Sequence, residues 1–156
     1  MVDYDDKLFY APMTGEILEI SECVDPIFSQ QIVGAGVLFI PSDSKVYAPC
    51  AGEVTIVANG RHGIAIKNSS GFQILMHIGI DTVEMNGDGF KIFKKVGDEV
   101  VPGDLLLEFD PDKIKAYGKS IQSPIVITNP SIKKVELLAK GKVNYGDEVF
   151  RICDKA

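Results

Sequence analysis

The chain has little of what several large functional classes require. Its 156 residues include only two histidines, His62 and His77, and three cysteines, Cys23, Cys50 and Cys153. The cysteines are odd in number, widely spaced and in no Cys-x-x-Cys arrangement, which speaks against a disulfide framework and leaves reduced packing thiols as the expectation. No basic stripe with interleaved aromatics occurs, and a net charge of -6 has the wrong sign for a nucleic-acid surface. That charge suits solubility, or a basic patch on a partner. The longest apolar run, Ile32 to Ile40, is far too short to cross a bilayer. Met1 to Asp6 is acidic and has neither the positive start nor the apolar core of a secretory signal. A cytoplasmic protein without direct membrane insertion is therefore expected. No stretch is long or polar enough to divide the chain, so 1–156 reads as a single domain, with 1–8 as a poorly ordered tail.

What is present points to an all-β protein. With 46% hydrophobic and 24% charged residues, a chain of this length suits one globular domain able to bury roughly two-thirds of its unfolded surface. Fifteen glycines and eight prolines punctuate short runs rich in Val, Ile, Phe and Tyr, the spacing of an antiparallel β-sandwich or barrel. Tyr10-Ala11-Pro12-x-x-Gly15-Glu16-Ile17 recurs as Tyr47-Ala48-Pro49-x-x-Gly52-Glu53-Val54, which implies two similar structural units. Gly97-Asp98, Gly103-Asp104 and Gly146-Asp147 read as turns, each ahead of an apolar strand. Helix signals are few. Asp110-Pro111-Asp112 predicts a short helix through Tyr117 with Gly118 as its stop, and Asn129-Pro130-Ser131 predicts another over Ile132 to Leu138. Pro26 to Gln31 reads as a helical turn presenting Ile27 and Phe28 outward.

The two histidines fall on what reads as one β-hairpin, Arg61 to Lys67 and Phe72 to Ile78, joined by Asn68-Ser69-Ser70-Gly71. With that four-residue loop Ile66 opposes Gln73, Ile64 opposes Leu75 and His62 opposes His77. Directly opposed residues share a face with Cβ atoms about 4.5–5.5 Å apart, so two imidazoles could reach one small group. A loop of odd length would shift the register by one and break the pairing. The alternative is that each histidine is an ordinary, partly buried residue meeting a backbone partner.

His77-Ile78-Gly79-Ile80-Asp81-Thr82-Val83-Glu84, followed by Gly87-Asp88-Gly89-Phe90, resembles the signature of the glucose-family IIA proteins of the bacterial sugar phosphotransferase system. The likeness runs from Ala11-Pro12 to the last strand and includes Phe28 to Gly36, Tyr47-Ala48-Pro49 and Val96-Gly97-Asp98. The resemblance implies a duplicated hybrid motif with a few short peripheral helices. It also implies that His77 is the phosphorylated nucleophile, that His62 stabilises the phosphoryl group, and that the Gly79 carbonyl orients the His77 ring so that Nε2 attacks. Asp81 then stands beside the site to meet an arginine of the donor, although an Asx turn or helix cap ahead of Thr82 is an equally physical role for it. Ile27, Phe28, Val33, Leu75, Val83 and Met85 are candidates for an apolar partner-binding collar, with about half of them expected to be buried structure. The implied partners are the phosphocarrier protein HPr and the IIB domain of a membrane sugar permease, with glucose as the expected sugar and no cofactor. One departure stands out. Where relatives carry a threonine two residues before the supporting histidine, this chain has Gly60, so orientation must come from Arg61, a backbone amide or water.

Chemistry supports that reading. Neutral imidazole is a nucleophile near pH 7, a second imidazole can donate to phosphoryl oxygens, and aliphatic surroundings exclude hydrolytic water. Two other classes stay open. His62, His77 and Asp81 could act as ligands in a metal-binding β-domain related to zinc peptidases, although no His-x-His element is present and no metal is required; zinc at His62 and His77 would be adventitious or partner-bridging. Asp154-Lys155-Ala156 spells the lipoylated triplet of swinging-arm carriers, but at the chain end rather than at a hairpin tip.

Overall fold

The structure, a computed structural model, describes residues 4–153. Among them are fourteen strands and two short α-helices. The first seven strands are β1 (Leu8–Tyr10), β2 (Gly15–Glu19), β3 (Ala35–Pro41), β4 (Lys45–Tyr47), β5 (Gly52–Val57), β6 (Gly63–Lys67) and β7 (Gln73–His77). The rest are β8 (Phe90–Ile92), β9 (Glu99–Val100), β10 (Leu105–Phe109), β11 (Ser123–Ile127), β12 (Lys134–Leu137), β13 (Gly141–Val143) and β14 (Glu148–Cys153). Helix α1 is Pro26–Ser29 and α2 is Pro111–Ala116.

Every pairing is antiparallel. One sheet of eight strands runs β13-β2-β3-β11-β7-β6-β5-β9, and two three-stranded sheets run β1-β14-β12 and β4-β10-β8. The large sheet keeps two free edges, so no barrel closes. These orders have a twofold logic in which β4 to β10 repeat the arrangement of β1 to β3 together with β11 to β14. The sequence echo sits on that axis. Tyr10 donates its backbone N–H to the Pro49 carbonyl at 2.9 Å, and Tyr47 donates to Pro12 at 2.6 Å. Ala11 and Ala48 then meet the Gly146-Asp147 and Gly103-Asp104 turns in equivalent ways. Gly15 and Gly52 are needed for the same reason, since a β-carbon on either would fall within 2.3 Å of a carbonyl oxygen on the neighbouring strand.

Alternation along the strands separates two cores. Ile74, Met76, Ile125 and Ile127 join Phe9, Met13, Phe39 and Phe150 between the sheets, where Phe9 and Phe150 stack with centroids 5.0 Å apart. Each such fully buried side chain contributes about 1.5–3 kcal/mol. The opposite face gives Leu38 and Val126 to a smaller cluster capped by Ile20, Cys23 and Phe28, with Leu75 and Val33 packed beside it. All three cysteines are free, and burial pushes the Cys50 thiol up to about 12.

Three expectations need correction. The hairpin loop has five residues, because the buried Asn68 side-chain oxygen accepts from the backbone N–H groups of both Ser70 and Phe72 while the Asn68 backbone N–H donates to the Phe72 carbonyl. The register is therefore Gly63 to His77 and Ile66 to Ile74. The helix expected over Ile132 to Leu138 is instead β12, paired with β14. Asn129 does not cap a helix; it accepts from Gln73 N–H and donates to the Gly71 carbonyl, tying the chain to the hairpin. Thirdly, Phe28 is buried (3% exposed) whereas Ile27 is exposed. The helix at Pro111 forms as expected, with the Asp110 carboxylate accepting from Lys113 N–H and Gly118 at φ 76° behind it. Of the segment 1–8 expected as a loose tail, residues 1–3 and the final triplet 154–156 with Lys155 lie outside the described residues. Asp5, by contrast, pairs with Arg151 at 2.7 Å, Asp6 accepts from Ser69, and Leu8 opens β1.

Candidate functional site

His77 is the last residue of β7, on the same face as Leu75 and so on the side covered by α1. His62 is the residue before β6. In the observed register it lies across from Ile78, whose N–H donates to the His62 carbonyl at 2.7 Å. Regular alternation would keep the two imidazoles apart. They meet because the ladder ends there: Arg61 takes a left-handed conformation (φ 62°), and the chain leaves the sheet at His62. The ring centroids lie 5.1 Å apart at an interplanar angle of 74°. Phe28 flanks His77 at 5.4 Å and Phe90 flanks His62 at 6.4 Å, completing a row of four rings.

The loop after β7 is held firmly. His77 Nδ1 and the Gly79 carbonyl oxygen are 2.8 Å apart, so Nδ1–H donates and Nε2 keeps its lone pair. Gly79 has φ 75°, and its N–H donates to the buried Ser123 Oγ at 3.2 Å. Thr82, fully buried, donates Oγ1–H to the Ile78 carbonyl at 2.6 Å. Lys119 pairs with Glu84, and both Lys113 and Tyr117 hold Asp88, so the segment from α2 to β11 grips this loop along its length. Asp81 is exposed, has φ 60° and makes no cap bond with its side chain.

Both imidazoles favour the neutral form. Burial is the main cause for each; for His77 the Gly79 carbonyl and the carboxylates Asp25 and Asp81 oppose it, and neighbouring His62 adds to it. His62 Nδ1 is buried without a hydrogen bond, and beside it Gly60 leaves no space for a side chain while the ring sits here, so a threonine at this position would not fit unmoved. The Gly60 carbonyl favours the protonated ring without reaching hydrogen-bond geometry.

Of the expected collar, Ile27 and Val83 are exposed, Val33 and Leu75 are half-buried, and Phe28 and Met85 lie inside. Val24 and Ile32, which the sequence reading passed over, are exposed beside α1. Ser123 and Thr82 were also missed; nothing in a sequence flags a serine 44 residues downstream as the support of Gly79. No group of three or more His, Cys, Asp or Glu among the described residues is arranged to hold a metal ion, and no helix among them is long and apolar enough to cross a membrane. Two open cavities, about 760 and 470 Å³, lie away from the histidines. They occupy equivalent places in the two repeats, one beside Gly52 and one beside Gly15.

This architecture is similar to that of a glucose permease IIA from Mycoplasma capricolum, with a TM-score of 0.87 and 33% identity over 96% of this chain and 98% of that one. A fainter likeness, TM-score 0.45 at 11% identity over 97% and 95% of the two chains, links it to the deep-sea M23 metalloprotease pseudoalterin and is too low to bear on function. The family model for the phosphoenolpyruvate-dependent sugar phosphotransferase system, EIIA 1, matches residues 7–132. The fold and the match define a IIA-type component of a sugar phosphotransferase system. The chain belongs to that EIIA 1 family.

Proposed function

We propose that this chain carries a phosphoryl group on His77 Nε2, taken from the phosphohistidine of HPr and passed to a cysteine on the IIB domain of a glucose-type permease. The observation that carries the reading is the 2.8 Å contact between His77 Nδ1 and the Gly79 carbonyl, which leaves Nε2 as the basic nitrogen. Its lone pair forms the new P–N bond as the donor's P–N bond breaks, and the donor ring keeps the electron pair. Burial holds His77 neutral, as a nucleophile must be. The neighbouring His62 ring supplies an N–H to the phosphoryl oxygens, and the flanking Phe28 and Phe90 limit water. Exposed Asp81 offers an unspent carboxylate to a cationic group of the donor, and exposed Ile27 and Val83 offer apolar contact. No nucleotide or metal enters the chemistry.

The test is incubation with phosphoenolpyruvate, enzyme I and HPr, followed by mapping of the acid-labile label. Label is expected on His77 and absent from His77→Ala, whereas His62→Gln accepts label but discharges it poorly to purified IIB. Acid-labile phosphate persisting in His77→Ala refutes the assignment.

A further inference from the structure

Gly60 lies in the tight connection between β5 and β6, where Arg61 N–H donates to the Ala58 carbonyl and Ala58 N–H to Gly63. Unlike most glycines of this chain, it does not have positive φ. Its φ therefore does not by itself call for glycine. What excludes a side chain is the His62 ring: a β-carbon on residue 60 would fall 2.7 Å from Nδ1 and 3.2 Å from Cε1, and real β-carbons essentially never come closer than 3.0 Å to another heavy atom. On the other sides the ring meets His77 and Phe90 edge-on. Its Nδ1 is the one buried side-chain polar atom among the described residues with no hydrogen-bond partner. The ring of His77 is thus fixed by a hydrogen bond, whereas that of His62 is seated by packing, with no partner in hydrogen-bond geometry at Nδ1.

We propose that Gly60 is a positioning residue: the room left by its missing side chain seats the His62 imidazole with Nδ1 inward and presents the opposite edge, with Nε2, to the group carried on His77. The kinetic consequence rests on the phosphoryl-carrier reading, whereas the steric claim stands without it. Any β-carbon at 60 drives the ring toward His77 or out of its seat, and small displacements of a positioned group cost large factors in rate.

The test is Gly60→Ala in the full chain, alone and combined with His62→Ala. Expected are moved imidazole ¹⁵N shifts and a moved titration midpoint for His62, acceptance of phosphate by His77 within about threefold of wild type, and discharge to IIB slowed at least about tenfold. The loss of stability caused by Gly60→Ala should vanish in the His62→Ala background, because the clashing ring is gone. Should Gly60→Ala alone fail to fold, recovery of the fold in the double variant supports the same conclusion, and a double variant that also fails overturns it. Unmoved His62 signals with wild-type discharge, or an equal destabilisation in both backgrounds, overturn it too. If wild-type protein takes no phosphate on His77, the carrier reading falls while the unfolding cycle still decides the role of Gly60.

Discussion

Gly79→Ala tests the loop that holds His77. At φ 75° an alanine pays about 1–2 kcal/mol for left-handed backbone. The new β-carbon would also lie 2.4 Å from Thr82 Cγ2 and 3.1 Å from the Ser120 carbonyl oxygen. Thr82 cannot swing aside without giving up its 2.6 Å hydrogen bond to the Ile78 carbonyl, so relief of the clash costs about 1–3 kcal/mol more, the usual toll of overpacking. The total is about 2–5 kcal/mol. Gly97 is the control, since it has φ 97° with nothing within 4 Å of where a β-carbon would stand, and Gly97→Ala should show the backbone part alone, about 1–2 kcal/mol. Denaturant unfolding at constant m-value measures both. Because the Gly79 carbonyl must move, His77 should also lose its fixed tautomer in ¹⁵N spectra and accept phosphate more slowly. A Gly79→Ala protein no less stable than Gly97→Ala, with an unchanged His77 spectrum, would refute the reasoning.

Two further outcomes follow from the site. Folding lowers the pKa of both histidines, so the unfolded chain binds protons first as pH falls; stability should be complete above about pH 6.5 and decline below it, and less steeply in His62→Gln. Unfolding midpoints across pH 5–8 check this, in a window well above that of the lowered carboxyls Asp5 and Asp88. Val83→Asp, at a position 58% exposed, should raise the KM for HPr about tenfold while shifting stability by less than about 0.5 kcal/mol, as steady-state phosphorylation and melting would show.

The repeat, the Gly-Asp turns and the strand-rich character were legible because each rests on local chemistry. The three Gly-Asp turns, for instance, all place the Asp carboxylate on the N–H three residues back. The His pair was legible for a reason that turned out different from the one that applies. Its register depended on whether Phe72 belonged to the loop, which Asn68 decides through two side-chain hydrogen bonds, and the rings meet only because Arg61 lifts the chain off the ladder. Asn129-Pro130 resembles a helix start, yet its amide is consumed by a hairpin 56 residues earlier, a competition no local pattern displays. Burial of Phe28 likewise follows from what α1 happens to cover, Leu38 and Val126 of two distant strands.

The two repeats are not laid out alike along the polypeptide. The one bearing both histidines is continuous and complete at Phe109, whereas the other has three strands made before it and four made after it. A ribosome adding about 5–20 residues per second would leave β3 waiting about 4–16 s for β11, the strand that pairs with it on the side away from β2. During nascent growth the early apolar strands are thus the exposed, aggregation-prone part, and chaperone demand should fall on them rather than on the segment that bears the two histidines.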